Sequence, residues 1–322
     1  MNDQILALPP PLHDAVKQLN EWAQGRLKSE QDKNTIKDAL YHYTDGAGLR
    51  GIISSGQIRF TDYRHLNDPS EFQHGIEKVH DIARRMATGA DDRVRYFLKR
   101  FADMFQQPNI DENLEFFIAS FSRARDDLAQ WRAYADNGRG FAIGFSPQLF
   151  GVLNEPVAGR LPDFAGPVVY EIDEVSARHS ALLEEASRIF LNAVEENDQL
   201  ASDQAVCIPF MDALAREMMV LLTWNCLTSK HPAYADEREV RLVIMGTRES
   251  LSAHVQTRLR GSEIVPYIAH SMPLREPLHI AEIVVGPAAP ADTKRDARTM
   301  LRSLGMDADF PIEKSLIPYR AL

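Results

Sequence analysis

Cysteine is scarce: Cys207 and Cys226 are the only two in 322 residues. That count excludes a disulfide framework and a four-cysteine zinc site. It suits a reducing compartment, with both thiols buried as small apolar side chains. Long apolar runs are also missing. The densest patch, residues 218–224, falls far short of the roughly 18 residues that a membrane-spanning helix needs. The first residues, with three prolines at 9–11, show neither the basic start nor the apolar stretch of an export leader. The expected place of action is therefore the cytoplasm, with no membrane partner. Positive charge is the last shortage: 36 Lys and Arg against 46 Asp and Glu give a net charge of −10. A general nucleic-acid or anionic-membrane binder would carry the opposite balance. Arg93, Arg95, Lys99 and Arg100 read as solvated helix faces.

Several catalytic signatures are absent too. No Rossmann or P-loop glycine motif occurs, and Gly138-x-Gly140 lacks both the third glycine and the helix that should follow. Neither a Gly-x-Ser-x-Gly elbow nor a His-Glu-x-x-His pair is present. A metal site from His65, Asp68, Glu71 and His74 is disfavoured, because only Glu71 and His74 have helical spacing.

What is present belongs to a globular chain, 44% apolar and 25% charged, of one large or two ordinary domains. Apolar spacing predicts a helix over residues 12–32, a strand over 40–44, and a short helix ending at Gly56. A strand at 58–61, a polar turn at 62–72 and one or two helices over 74–106 follow. Further strands are predicted at 116–122, 141–145 and 168–171, with a short helix over 126–135. Residues 176–227 read as a helical insertion. Strands return at 239–245, 263–269, 280–285 and 315–320, with a helix over 292–304. Strands and helices mix without regular alternation, so the fold class is α+β. The expected organisation is an N-terminal helical segment, 1–36, and one domain over 37–322 carrying the insertion.

Four groups of residues have chemistry to offer. His42 sits mid-strand in Leu-Tyr-His-Tyr-Thr, sharing a face with Thr44 while Tyr41 and Tyr43 take the other. A strand histidine usually just packs; at a cleft it donates, accepts or moves a proton. Asn67-Asp68-Pro69 with Glu71 is an ordinary turn and helix start, or a fixed loop beside a ligand. Ser120 and Ser122 share a strand face, and Trp131 and Tyr134 are neighbours on the next helix. These are core aromatics, or hydroxyls and a stacking platform for a flat ring. Glu237 and Glu239 share a face if their strand begins at 237. They stay solvated or pair with Lys230, Arg238 or Arg241, or they bind a ribose hydroxyl and stabilise positive charge.

In order, these motifs resemble a bacterial family designated DUF 2971. The motifs are L-Y-H-Y-T, a helix ending G-x-I-R-F, N-D-P-x-E, S-F-S and D-x-x-x-Q-W-R-A-Y-A. G-x-G-F-A-I-G-F, E-R-E-V-R, E-I-V-V-G-P and S-L-I-P-Y-R complete the series. The family is similar to ADP-ribosyltransferases, whose opening strand with H-x-T and a short helix is matched by His42, Thr44 and Gly56. Tyr43 stands where a glycine is usual and faces away from His42 in an ideal strand.

The resemblance implies a split β-sheet core holding NAD as substrate, with no metal. His42 would hold the adenosine-side ribose and Thr44 the nicotinamide amide or a nearby group, with Tyr43 also lining the site. Ser120 or Ser122 would hold the nicotinamide amide, with Trp131 or Tyr134 on its ring. Glu239 or Glu237 would bind the nicotinamide ribose and carry catalysis. Arg59, Arg64 and Arg241 are candidates for the pyrophosphate, and Asn67 would border the site. The implied activity is an NAD-dependent ADP-ribosyltransferase or glycohydrolase, with a protein or nucleic-acid acceptor and family-level roles as toxin or phage defence. The contrasting readings are a non-catalytic NAD sensor and a metal-dependent nuclease around His65 and His74.

Overall fold

The computed structural model describes residues 8–68, 70–153, 163–274, 279–306 and 310–320. The fold is α+β, an open mixed sheet with several helices. The chain divides into a helical unit, residues 1–33, 68–114 and 169–232, and a sheet unit, residues 34–67, 115–168 and 233–322. The predicted N-terminal helix and the predicted insertion, 176–227, thus fall in one unit with residues 68–114.

The sheet unit holds β1 (Leu40–Thr44), β2 (Gln57–Asp62), β3 (Glu115–Ser122), β4 (Phe141–Phe145) and β5 (Asp163–Pro167). β6 (Glu239–Gly246), β7 (Val255–Arg260), β8 (Glu263–Ser271), β9 (Ile280–Val285) and β10 (Ile312–Lys314) complete it. The order is β10-β9-β4-β1-β3-β2-β8-β7, with β6 on β3 and β5 on β6. The β9–β10 pair is parallel, and the other pairs described are antiparallel.

In β2, buried Ile58, Phe60 and Asp62 alternate with less buried Gln57, Arg59 and Thr61, the period of a strand with one face on the core. That core gathers Phe60, Phe117, Phe121, Phe145, Ile244 and Ile283. A smaller cluster of Tyr41, Tyr43, Trp131, Ala142 and Val284 packs on the other side of β1. Between β1 and β2, the helix Gly46–Ser55 starts where the Asp45 carboxylate accepts the Gly48 N–H at 2.6 Å. It stops at left-handed Gly56, whose N–H returns to the Ile52 carbonyl.

The two edges of β3 are treated differently. β6 covers one along its whole length, from Glu115 opposite Gly246 to Ser122 opposite Glu239. The other is shared by two strands: β1 meets it through Tyr41 opposite Ser122, and β2 through Thr61 and Asp62 opposite Ile118 and Phe117. Both run antiparallel to β3, so continued pairing would send both onto the same residues, 119–121. Instead β1 follows β4 and β2 follows β8. Residues 119–121 have no registered strand on that edge.

The helical unit is built on Pro10–Lys33, Ser70–Ala87, Asp92–Met104, Ile172–Glu196 and Gln204–Leu227, with shorter helices at Gln107–Asn113 and Asp198–Ser202. Leu12, Val16, Leu19 and Leu27 are buried at helical spacing. Phe97 stacks on Phe190 at 4.8 Å, and Phe190 on Phe210 at 5.9 Å. Buried Lys230 pairs with buried Glu71 at 3.1 Å.

Three strand expectations need correction. The strand predicted at 168–171 lies earlier, as β5, and Val169 makes only one parallel bridge, to Ser229. The final strand is Ile312–Lys314 rather than 315–320, because the Leu316 N–H goes to the Asp126 carboxylate at 2.9 Å instead of a ladder. β7 was not foreseen. Its residues are exposed or half-buried throughout, so it has no apolar face to betray it.

Candidate functional site

His42 lies on β1 with its ring 5.7 Å from Phe121. Its Nδ1 is 3.1 Å from the Ser120 carbonyl oxygen, in the stretch of β3 that lacks a strand. A carbonyl only accepts, so Nδ1 carries the proton and Nε2 presents a lone pair. Burial pushes the imidazole pKa below its usual value; the Ser120 carbonyl opposes this, and the Arg258 charge pushes the same way. The result is a neutral acceptor at the point where β1 and β2 part.

Tyr41 and Tyr43 face the other way. The Tyr43 hydroxyl donates to the Ala124 carbonyl at 2.8 Å and accepts the Asp127 N–H at 3.3 Å. Burial raises its pKa. The Tyr41 hydroxyl donates to Glu282 at 2.8 Å, and the Arg125 guanidinium forks onto the same carboxylate at 2.7 and 2.6 Å. Burial, then Glu282, push the Tyr41 phenol up to about 12. Nothing in the local sequence signals this network, whose members lie far apart in the chain. Half-buried Thr44 points its hydroxyl at Gly48, where any side chain would collide with it.

At the far end of β3, three candidates meet. The Tyr134 hydroxyl donates to Glu237 Oε1 at 3.1 Å, and the Ser122 hydroxyl donates to the Glu237 backbone oxygen at 2.7 Å. Ser122 Oγ also accepts the Ala124 N–H at 3.0 Å, so this serine fixes the loop that follows β3. Glu237 ends a 3-10 turn, and Arg238 is left-handed with φ 45°. The strand begins only at Glu239, so the two glutamates do not share a strand face as expected.

Glu239 is buried and forks onto buried Arg241 at 2.8 and 3.0 Å. Register sets Glu239 opposite Ser122 and Arg241 opposite half-buried Ser120. Arg241 is thereby committed to a carboxylate. So is Arg64, which forks onto Asp62, at 2.9 Å through Nε. Arg59 is exposed, its guanidinium 5.0 Å from the centre of the Tyr267 ring. Asn67 is exposed as well.

Trp131 is fully buried, edge-on to Tyr43 at 4.8 Å, with its indole N–H on Asp126 at 2.6 Å. It offers no free ring face. Tyr134, the other aromatic read as a stacking platform, is half-buried and packs against the same cluster. Sequence reasoning also passed over Arg258 on β7, whose Nη2 reaches the Thr61 hydroxyl at 3.3 Å.

His65 bonds Glu263 at 2.7 Å and His74 sits 3.5 Å from Glu77. Among the described residues, no three His, Cys, Asp or Glu side chains are grouped to hold a metal. No helix among them is long and apolar enough to cross a membrane. A cavity of about 390 Å³ lies in the helical unit, lined by His80, Arg84, Arg95 and Lys99 among others. It includes none of the residues singled out as site candidates.

Neither the curated proteins nor the solved structures contain a match for this chain. A family model described as "Protein of unknown function (DUF2971)" matches residues 130–242, a span that includes Trp131, Tyr134, β4, Glu237 and Glu239. Through residues 130–242 the chain is similar to the DUF2971 family.

Proposed function

We propose that the protein cleaves the nicotinamide–ribose bond of NAD and passes ADP-ribose to an acceptor or to water. The observation that carries this reading is the parting of β1 and β2 from one edge of β3, with the His42 imidazole set on the Ser120 carbonyl. A sheet opened in this way is what an ADP-ribosyltransferase-like core requires of its NAD cleft.

The chemistry asks little of the site. The bond between nicotinamide nitrogen and ribose C1′ breaks with its electron pair leaving on nicotinamide, and an oxocarbenium-like centre develops. Holding both riboses and setting a carboxylate beside that centre supplies most of the stabilisation. His42, neutral with Nε2 free to accept, holds a ribose hydroxyl. Tyr134 offers its ring to nicotinamide and its hydroxyl to Glu237.

Of the two glutamates, Glu237 takes the catalytic role. It is half-buried and held by a phenol, whereas Glu239 is buried and saturated by a guanidinium. Glu237 faces the developing cation and takes the proton of the incoming nucleophile. Glu239 fixes Arg241.

Incubation with NAD in metal-free buffer, following free nicotinamide by chromatography, tests the proposal. Release from wild type that falls about 100-fold or more in Glu237→Gln and His42→Ala is expected, from typical effects of removing one catalytic or electrostatic group. No release from folded wild type, with saturable NAD binding, would replace the enzyme by an NAD sensor. Mass spectrometry of candidate protein and oligonucleotide acceptors distinguishes transfer from hydrolysis.

A further inference from the structure

The arm formed by β2, β8 and β7 carries a second group of polar residues on one face. Register sets Thr61 opposite Tyr267 and Tyr267 opposite Gln256, while Arg59 faces Ala269 and Arg258 faces Val265. Opposed residues share a sheet face, as do residues two apart on a strand. Arg59, Thr61, Tyr267 and Arg258 are therefore all on one side. Arg258 crosses β8 to bring Nη2 to within 3.3 Å of the Thr61 hydroxyl, and Arg59 lies over the Tyr267 ring.

The charges here are not balanced. Arg258 Nε is buried without an acceptor among the described residues. Burial, then the charges of Arg59 and Arg260, depress the Arg258 pKa. Nearby Arg64 and Arg260 are matched by Asp62 and Glu263. Arg59 and Arg258 have no carboxylate within ion-pair distance among the described residues. In a chain with ten more acidic than basic residues, carboxylates are not in short supply. Two uncompensated guanidiniums beside a hydroxyl make the donor set that phosphate oxygens fit. The Arg258 charge is also felt at His42, which ties this arm to the gap beside β3.

We infer that Arg59, Arg258 and the Thr61 hydroxyl form a binding site for a diphosphate group, as borne by a nucleoside diphosphate or by inorganic pyrophosphate. The site deepens the NAD reading of the cleft, on which its biological ligand rests, but binding here needs no turnover.

Titration calorimetry of the full chain with ADP, AMP, adenosine and inorganic pyrophosphate tests it. ADP is expected to bind about ten times more tightly than AMP, and adenosine not measurably. Pyrophosphate equal to ADP would mean recognition of the diphosphate alone; tighter ADP would add a nucleoside contribution. Either result supports the site. Arg258→Gln and Arg59→Gln should each weaken ADP by about tenfold, with partial recovery in Arg258→Lys and no change in Arg248→Gln. Thermal melts check that each variant is folded. If Arg258→Gln unfolds, Arg59→Gln, at an exposed position, carries the test alone. Adenosine binding as tightly as ADP, or ADP affinity unchanged in the folded variants, overturns the site.

The two proposals fail separately. ADP binding that depends on Arg258, without nicotinamide release, keeps the site and removes the transferase. Release whose KM is indifferent to Arg258→Gln, uninhibited by ADP, does the reverse.

Discussion

Glutamine at 237 and glutamine at 239 should do opposite things. Glu239 and Arg241 are only 7% and 3% exposed, and two short bonds join them. Glu239→Gln removes the carboxylate charge and leaves a buried guanidinium facing a neutral amide. Breaking a buried pair by neutralising one partner costs about 3–5 kcal/mol. An amide that still accepts one bond puts Glu239→Gln near the lower end, about 3 kcal/mol. With m of about 2–3 kcal/mol/M, the urea midpoint of the sheet unit should fall by about 1 M. Glu237 is half-buried and keeps its Tyr134 partner as an amide oxygen, so Glu237→Gln should cost under about 1 kcal/mol. Urea titrations followed by circular dichroism give both stabilities, and nicotinamide release gives both activities at a urea-free temperature where all variants are folded. The expected pattern is a stable, inactive Glu237→Gln and an unstable Glu239→Gln. Glu239→Leu with Arg241→Met should recover to within about 1–2 kcal/mol of wild type, since well-packed apolar pairs replace buried ion pairs at little cost. A fully stable Glu239→Gln, or a Glu237→Gln as active as wild type, would refute the division of labour.

Four further outcomes follow from the packing. His179 is fully buried, neither ring nitrogen has a partner among the described residues, and burial lowers its pKa to about 3. Its unfolded form protonates near 6.5, so the unfolded state binds more protons and stability falls as pH drops from about 6.5 towards 3. Between pH 7 and 4 this amounts to about 3 kcal/mol, and His179→Leu should flatten that slope in urea titrations at each pH. Gly140→Ala drives a methyl into the Thr44 carbonyl and to 3.0 Å from the Ala135 backbone, and should cost about 3 kcal/mol. Gly51→Ala, with open space around it on the Gly46–Ser55 helix, should instead gain about 0.5–1 kcal/mol. Native thiol titration should label Cys207 slowly and Cys226 not at all: burial raises both pKa values, and Cys226 is completely buried.

The legible parts of the fold are those whose signal is local. β4 and β9 were predicted to the residue, because a short apolar run closed by turn residues has few other ways to fold. The helix Gly46–Ser55 was legible from Leu49, Ile53 and the Gly56 stop. β7 was not, because Gln256, Arg258 and Arg260 leave it nothing to bury. The helical unit was read as separate pieces for a different reason. Its packing joins segments far apart in the chain, as Asn20 does by bonding Glu217 and Arg100 by gripping Asp212. Periodicity finds each helix and says nothing about which helices adjoin.

The site divides along the same line. The facing of His42 and of Ser120 follows from alternation along one strand, and both are where period two puts them. Glu237 and Glu239 would share one face by the same rule if their strand began at 237, and that condition fails at Arg238. A left-handed residue with φ 45° ends the 3-10 turn and restarts the chain as a strand, which the spacing of two acids does not reveal. That break is what gives the glutamates different partners. On a continuous strand both would meet the same surroundings, and Arg241 would answer either. With the turn in place, Tyr134 takes Glu237 and Arg241 takes Glu239, leaving one carboxylate half-buried on a phenol and one buried on a guanidinium. Arg258 was invisible for the complementary reason. Nothing in Gln-Thr-Arg-Leu-Arg marks one arginine above another until β8 sets it across from Thr61 with no acid to meet it.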